Sequence, residues 1–160
     1  ECVFSLTNRD IKNKEKITIT DPSMTRFSIT MDEALDFILK ATEISKGSEI
    51  FIPKLQAYSI SGIKDALFDL LGNTGSDIIG IREGEKMNEV LLNREEIRYS
   101  WEYENMYMVL NPLSKNNVPI DEYSNATKVD SMDEYSSDSV KKFSIEEMKK
   151  IITNSKLLTK

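Results

Sequence analysis

Two arginines and one glutamate carry the chemistry this sequence is best equipped for. In "IIGIREGEKMNEVL" (78–91) an apolar run ends in Arg82, Glu83, Gly84, Glu85 and Lys86, side by side. The end of a strand holds a guanidinium fork in place for a phosphate or carboxylate, and Glu85 beside it can accept hydrogen bonds from sugar hydroxyls. Arg26, in "DPSMTRF", is flanked by the apolar Met24 and Phe27. Two arginines emerging from structured segments suit a diphosphate, because each charge-assisted hydrogen bond contributes about 1.5–3 kcal/mol. A plainer reading stands beside this one. Glycine after a strand often only supplies a turn among solvated charges, and the stem of Arg26 can simply cover its apolar neighbours. Spacing alone leaves both open.

Composition removes much other chemistry. Histidine is absent and Cys2 is the only cysteine, so an intrachain disulfide, a zinc site and a histidine-based triad are excluded, and no metal ligand set can be named. The net charge of −6 opposes broad attraction to nucleic acid or anionic lipid. No stretch approaches the ~18 consecutive apolar residues of a membrane span, so neither nucleic acid nor membrane is expected as a partner. "ECVFSLTNRDIKNK" lacks the basic start and apolar core of a signal peptide, which makes the cytoplasm the expected compartment. The chain opens at Glu1 rather than methionine, and a segment upstream is expected. A length of 160 residues suits one domain burying roughly two-thirds of its unfolded surface.

The elements that must position the arginines read as short strands alternating with helices, an α/β (α+β) pattern. "KITIT" (16–20) alternates apolar residues with threonine and meets the turn residues "DPS"; "MTRFSI" (24–29) is extended. Thr30 and Glu33 have capping-box spacing, and Ala34, Phe37, Ile38 and Ala41 form a helical stripe with Gly47 as its stop. "EIFIP" (49–53) is a strand, followed by a helix with Ile60, Ile63, Leu67, Leu70 and Leu71 on one face and Gly72 at its end. "SDIIGI" (76–81) is a strand, "KMNEVLLN" a short helix, and "YENMYMVL" (103–110) a strand. From 113 to 142 the chain is acidic and irregular, a tail that wraps or moves. A terminal helix follows over 143–156, opened by a second capping box at Ser144 and Glu147 with Phe143 and Met148 placed as a staple.

Four blocks in order, "ITITDPSMTRFSITMDEALDFI", "GSEIFIPKLQAYSISGIKDAL", "IIGIREGEKMNEVLL" and "WEYENMYMVLNP", resemble the C-terminal half of inverting UDP-N-acetylglucosamine 4,6-dehydratases. These are polysaccharide-biosynthesis enzymes of the extended short-chain dehydrogenase/reductase class. The likeness covers about residues 10–112, with a looser echo in "EYSSDSVKKFSIEEMKKII". It implies that Arg26 and Arg82 hold the UDP pyrophosphate and that Glu85 faces the ribose. Glu83 stands where the family usually has proline, and Ser5 where proline is expected in the segment that passes the substrate. Ser137 to Lys142 match the family's last substrate-contacting stretch too loosely for assignment.

The resemblance further implies the substrate-binding lobe of such an enzyme, over 1–112, with the Rossmann domain missing. In the complete family enzyme, the resemblance implies, NADP takes a hydride from C4 of the sugar, a base removes the C5 proton, water leaves from C6, and the hydride returns to C6 with inversion at C5, which gives no catalytic residue a place in this chain. The six glycines here give no dinucleotide-binding loop, so no cofactor is expected to bind this chain alone. The expected partners are a UDP-sugar and either the missing Rossmann half or a second copy of the chain. Alone, the chain is expected to be inactive. Two alternatives remain: the equivalent half of a UDP-sugar epimerase, and a non-catalytic protein-interaction module with a vestigial sugar-nucleotide site.

Overall fold

The computed structural model describes residues 10–11, 13–110 and 119–154; Cys2, Ser5 and the end of the expected terminal helix lie outside them. The chain forms two compact units that interleave along the sequence. One draws on the segments up to Phe27, Gln56–Glu89 and from Lys141 onward; the other on Ser28–Leu55 and Val90–Val140.

In the first unit, alternation in "ITI" buries Ile17 and Ile19 and exposes Thr18, giving strand β1 (Ile17–Ile19). It pairs in parallel with β5 (Ser76–Ile78), Ile17 opposite Ser76 and Ile19 opposite Ile78. Strand β2 (Thr25–Ser28) pairs with β4 (Gln56–Ser59). From β4 the chain turns directly into helix α2 (Ile60–Leu71), because the Ser59 hydroxyl accepts the Gly62 N–H at 3.0 Å. The first amides of α2 are also held from outside, Ile60 by the Met24 carbonyl at 2.9 Å and Ser61 by the Pro22 carbonyl at 3.0 Å. Ile63, Ala66 and Leu67 face a core shared with Ile11, Ile17, Ile19, Met148 and Ile152. Leu70, expected on that face, is instead exposed, and Ala66 takes a core position. The helix ends at Gly72 with φ +101°, a conformation only glycine adopts cheaply. The terminal helix runs over Ile145–Asn154. Its capping box forms as expected, Ser144 N–H donating to Glu147 at 2.8 Å and Glu147 N–H to the Ser144 hydroxyl at 3.3 Å. Phe143 and Met148 join the same core.

In the second unit, helix α1 (Met31–Ile44) starts at the Thr30–Glu33 capping box. It stops with Ser45 as C-cap, two residues before Gly47, whose N–H donates instead to the Glu49 carboxylate. The inward face is Ala34, Phe37, Ala41 and Ile44, each half-buried. Ile38, expected on it, is 57% exposed. A four-stranded sheet has the order β3 (Glu49–Pro53), β8 (Met106–Leu110), β7 (Ser100–Tyr103), β9 (Thr127–Lys128), with neighbours antiparallel. Central β8 buries Met106, Tyr107, Met108 and Val109 alike, as befits a strand covered on both faces. The run "KMNEVLLN" is not a helix: Val90–Leu92 is strand β6, antiparallel to β10 (Tyr135–Ser136). The helix lies just beyond, α3 (Arg94–Ile97), capped by Asn93 and Glu96.

Candidate functional site

The segment between β5 and β6 is built as a projecting turn. Ile79 N–H is still held by the Ile19 carbonyl at 3.0 Å, and Gly80, at φ +80°, then turns the chain out of the strand. The Glu85 N–H returns to the Arg82 carbonyl at 3.1 Å, closing a four-residue turn with Gly84 in its third position at φ +83°. Glu83 keeps negative φ, which makes this a type II turn. A Cβ at Gly84 would meet no atom within 4 Å, so its backbone angle, not lack of space, requires glycine. The Glu85 carboxylate folds back as well, its Oε2 accepting the Arg82 N–H at 3.1 Å. Arg82 itself is exposed, its guanidinium directed to no protein acceptor among the described residues.

The base of this segment is gripped by β2. Thr25 N–H donates to the Met87 carbonyl at 3.0 Å and Thr25 Oγ1 to Asn88 Oδ1 at 2.9 Å. Arg26 adds Nη1 to the Met87 carbonyl at 3.1 Å, Nη1 to its neighbour Thr25's carbonyl at 2.7 Å, and Nη2 to the Lys86 carbonyl at 2.9 Å. Its Nε lies 3.3 Å from Glu89 Oε1, with the Arg26 side chain only 25% exposed. Burial pushes the nearby Tyr58 phenol above its ordinary pKa, an effect Arg26 opposes and Glu89 reinforces.

All three residues singled out in the sequence therefore belong to the first unit. Arg82 and Glu85 share one turn, while Arg26 meets the residues that follow it. Sequence reasoning missed Thr25, Asn88 and Glu89 as parts of this arrangement. The helix assigned to "KMNEVLLN" concealed that Met87–Glu89 is a bent, irregular connection, where β2 donates to the Lys86 and Met87 carbonyls and meets the Asn88 and Glu89 side chains.

Elsewhere, a cavity of about 460 Å³ in the second unit is lined by Tyr107, residues 132–136 and Asp138–Val140. Its hydroxyls bond internally, Ser136 Oγ to Asp138 Oδ1 at 2.5 Å and Ser139 Oγ to the Ser136 carbonyl at 2.9 Å. Among the described residues no group of three or more acidic, histidine or cysteine side chains could hold a metal ion. Nor is any helix long and apolar enough to cross a membrane. A dinucleotide does not fit the strand-to-helix junctions either. Both long helices that follow strands are capped by side chains, Thr30 and Ser59, without the glycine turn that lets a backbone approach a pyrophosphate.

Residues 2–111 match the family model described as polysaccharide biosynthesis protein. An inverting UDP-N-acetylglucosamine 4,6-dehydratase of Campylobacter jejuni is 36% identical over 98 residues, 61% of this chain and 28% of the relative. A UDP-glucose 4-epimerase of Rickettsia felis is 30% identical over 155 residues, 95% of this chain and 45% of the relative. Among solved structures, Pen from Bacillus thuringiensis superposes with a TM-score of 0.78 at 31% identity, over 97% of this chain and 45% of that one. The chain thus spans less than half the length of these relatives.

Proposed function

This chain belongs to the polysaccharide biosynthesis protein family, and on that premise we propose that it is the substrate-binding portion of a nucleotide-sugar-modifying enzyme, a UDP-N-acetylglucosamine 4,6-dehydratase. Its product class is then a 4-keto-6-deoxy sugar for surface polysaccharide or flagellin glycan. The observation that carries this reading is the exposed Arg82 guanidinium on a turn whose backbone is fixed from below by β2. Its donors meet the UDP diphosphate. Glu85 keeps Oε1 for the ribose hydroxyls while Oε2 closes the turn. Arg26 belongs to the same site through the segment it holds.

We assign no catalytic residue, and the chain alone is inactive. In the complete family enzyme NADP supplies the hydride chemistry, and this chain alone is proposed to bind no cofactor. The Rossmann half or a second copy would find apolar surface on α1, where Met31 and Leu39 are 74% and 69% exposed. A cytoplasmic location suits a UDP-sugar ligand.

One observation favours a second reading, half of a UDP-glucose 4-epimerase: the epimerase likeness extends over 95% of the chain and the dehydratase likeness over 61%. Equilibrium dialysis against UDP-N-acetylglucosamine and UDP-glucose tests both. Saturable binding that prefers the N-acetyl sugar and is lost in Arg82→Ala supports the dehydratase reading, and preference for UDP-glucose supports the epimerase. Absence of binding to either, with a Rossmann half supplied, leaves an interaction module.

A further inference from the structure

We propose that α1 and β3 of the second unit form an interaction surface for the open edge of a parallel sheet in a Rossmann-type partner, whose edge strand lies beside β3. This inference rests on the reading above only for the source of the partner.

Strand β3 carries Ile50, Phe51 and Ile52 in unbroken succession. Such a run suits a strand covered on both faces, as in parallel α/β sheets, whereas a strand with one wet face alternates. Here Ile50 is 55% exposed. Phe51, on the opposite face, shares an open groove of about 500 Å³ with Phe37, Ile38 and Ala41 of α1. One edge is open as well, because β3 ends its sheet and pairs with β8 alone. Lys54 N–H donates to the Asn105 carbonyl at 3.4 Å, so by alternation Ile52 and Ile50 also bond to β8, and the Phe51 N–H and C=O point to the free edge. Among the described residues neither has a partner. Pro53 faces the same edge, where its missing N–H breaks no bond to β8.

Helix α1 repeats the pattern. Beside its half-buried face, Met31, Leu35, Ile38 and Leu39 form a second apolar face on which every residue is more than half exposed. At 3.6 residues per turn the two faces together span more than half the circumference, and Asp32, Asp36, Lys40 and Glu43 gather on the rest. A helix apolar over so wide an arc is one built for burial on more than one side. The connection identifies the occupant. Helix α1 joins β3 through the short loop 45–48, the closing half of a β–α–β crossover, whose opening strand is a parallel neighbour in the same sheet. Among the described residues β3 has no parallel neighbour, because β2, the strand before α1, pairs with β4. That neighbour therefore comes from outside them, and in the dehydratase and epimerase relatives more than half of the length lies outside the likeness. A second copy offers the wrong direction, since two-fold symmetry brings β3 against β3 antiparallel.

The test joins the part of the Campylobacter jejuni dehydratase that precedes the likeness, or its counterpart from the Rickettsia felis epimerase, to the start of the 160-residue chain. Amide hydrogen exchange is then compared with that of the chain alone. In a joined protein that unfolds cooperatively, the Phe51 amide should exchange about a hundredfold more slowly than in the chain alone, while Ile50 and Ile52, already bonded to β8, change less. Fast exchange at Phe51 in a cooperatively folded joined protein overturns the proposal. The chain alone gives a second, independent reading through Leu39→Glu, a change on the exposed face. A monomeric chain whose urea midpoint is unmoved by Leu39→Glu supports the proposal. A defined dimer that Leu39→Glu dissociates overturns it in favour of a second copy, and a lowered midpoint overturns it by showing that the chain covers this face itself. Neither measurement contains UDP or a sugar, so failure of the Arg82 assignment leaves these results standing.

Discussion

Arg26 donates to the Met87 carbonyl from 3.1 Å across 61 positions of sequence. That bond joins the strand carrying one arginine to the connection that presents the other. It relates the two residues of the site through the main chain. In a marginally stable fold, a site held by such bonds rather than by a packed core depends on a few hydrogen bonds, each worth about 0.5–1.5 kcal/mol net.

The turn that presents Arg82 has a residue unsuited to its position. Glu83 occupies the second position of a type II turn, where proline's fixed φ fits best. The hydrogen bonds of the turn use the N–H groups of Arg82 and Glu85, not that of Glu83. Glu83→Pro should therefore stabilise the protein by about 0.4–1 kcal/mol, and should tighten anion binding by removing a negative charge beside Arg82. Urea unfolding read by circular dichroism checks the first part. A loss of stability would show that the turn is of another type.

The first unit rests on the contact between α2 and the terminal helix. Leu67 is fully buried within that core. Leu67→Ala should cost about 2–5 kcal/mol, the lost transfer energy plus the cavity left behind. Leu70→Ala, one turn along but exposed, should cost far less. Equal effects in chemical denaturation would contradict the assigned helix face.

Acid sensitivity in the second unit should trace partly to Glu49. Burial raises its pKa, yet hydrogen bonds from the Tyr123 hydroxyl at 2.6 Å, the Gly47 N–H and the Ser45 hydroxyl outweigh it and leave the carboxyl below its ordinary value. A depressed carboxyl contributes stability that is complete above the unfolded pKa and disappears as pH falls through the folded one. Tyr123→Phe should thus cost about 1 kcal/mol at neutral pH, and the gap to the unmodified protein should narrow as pH falls below that of an ordinary carboxylate. Thermal melts at a series of pH values from neutral to acid measure it. A gap independent of pH would mean that Tyr123 acts by packing alone.

How far the sequence foretold this arrangement depends on how local each feature is. Both capping boxes and the Ile17–Thr18–Ile19 alternation were legible because donor, acceptor and period lie within a few residues. Strand β6 was not. Val90, Leu91 and Leu92 with Met87 mimic helical spacing, and the strand they form pairs with Tyr135–Ser136, over forty residues away. The stretch from 119 to 140 showed no period because single anchors order it. Tyr135 packs edge-on against Tyr107, ring centroids 4.9 Å apart, and accepts the Leu55 N–H at 2.6 Å. Arg26 and Arg82 stood out by type, but the acceptors of Arg26 did not. They are mainly backbone carbonyls, which every residue carries and no sequence marks.

The most direct test of a nucleotide-diphosphate site on this turn is calorimetric titration of UDP into the chain and into Arg82→Ala. Saturable binding weakened by roughly one to two orders of magnitude in the variant, the equivalent of about 1.5–3 kcal/mol, is the predicted result. Binding of equal strength in both proteins would contradict it.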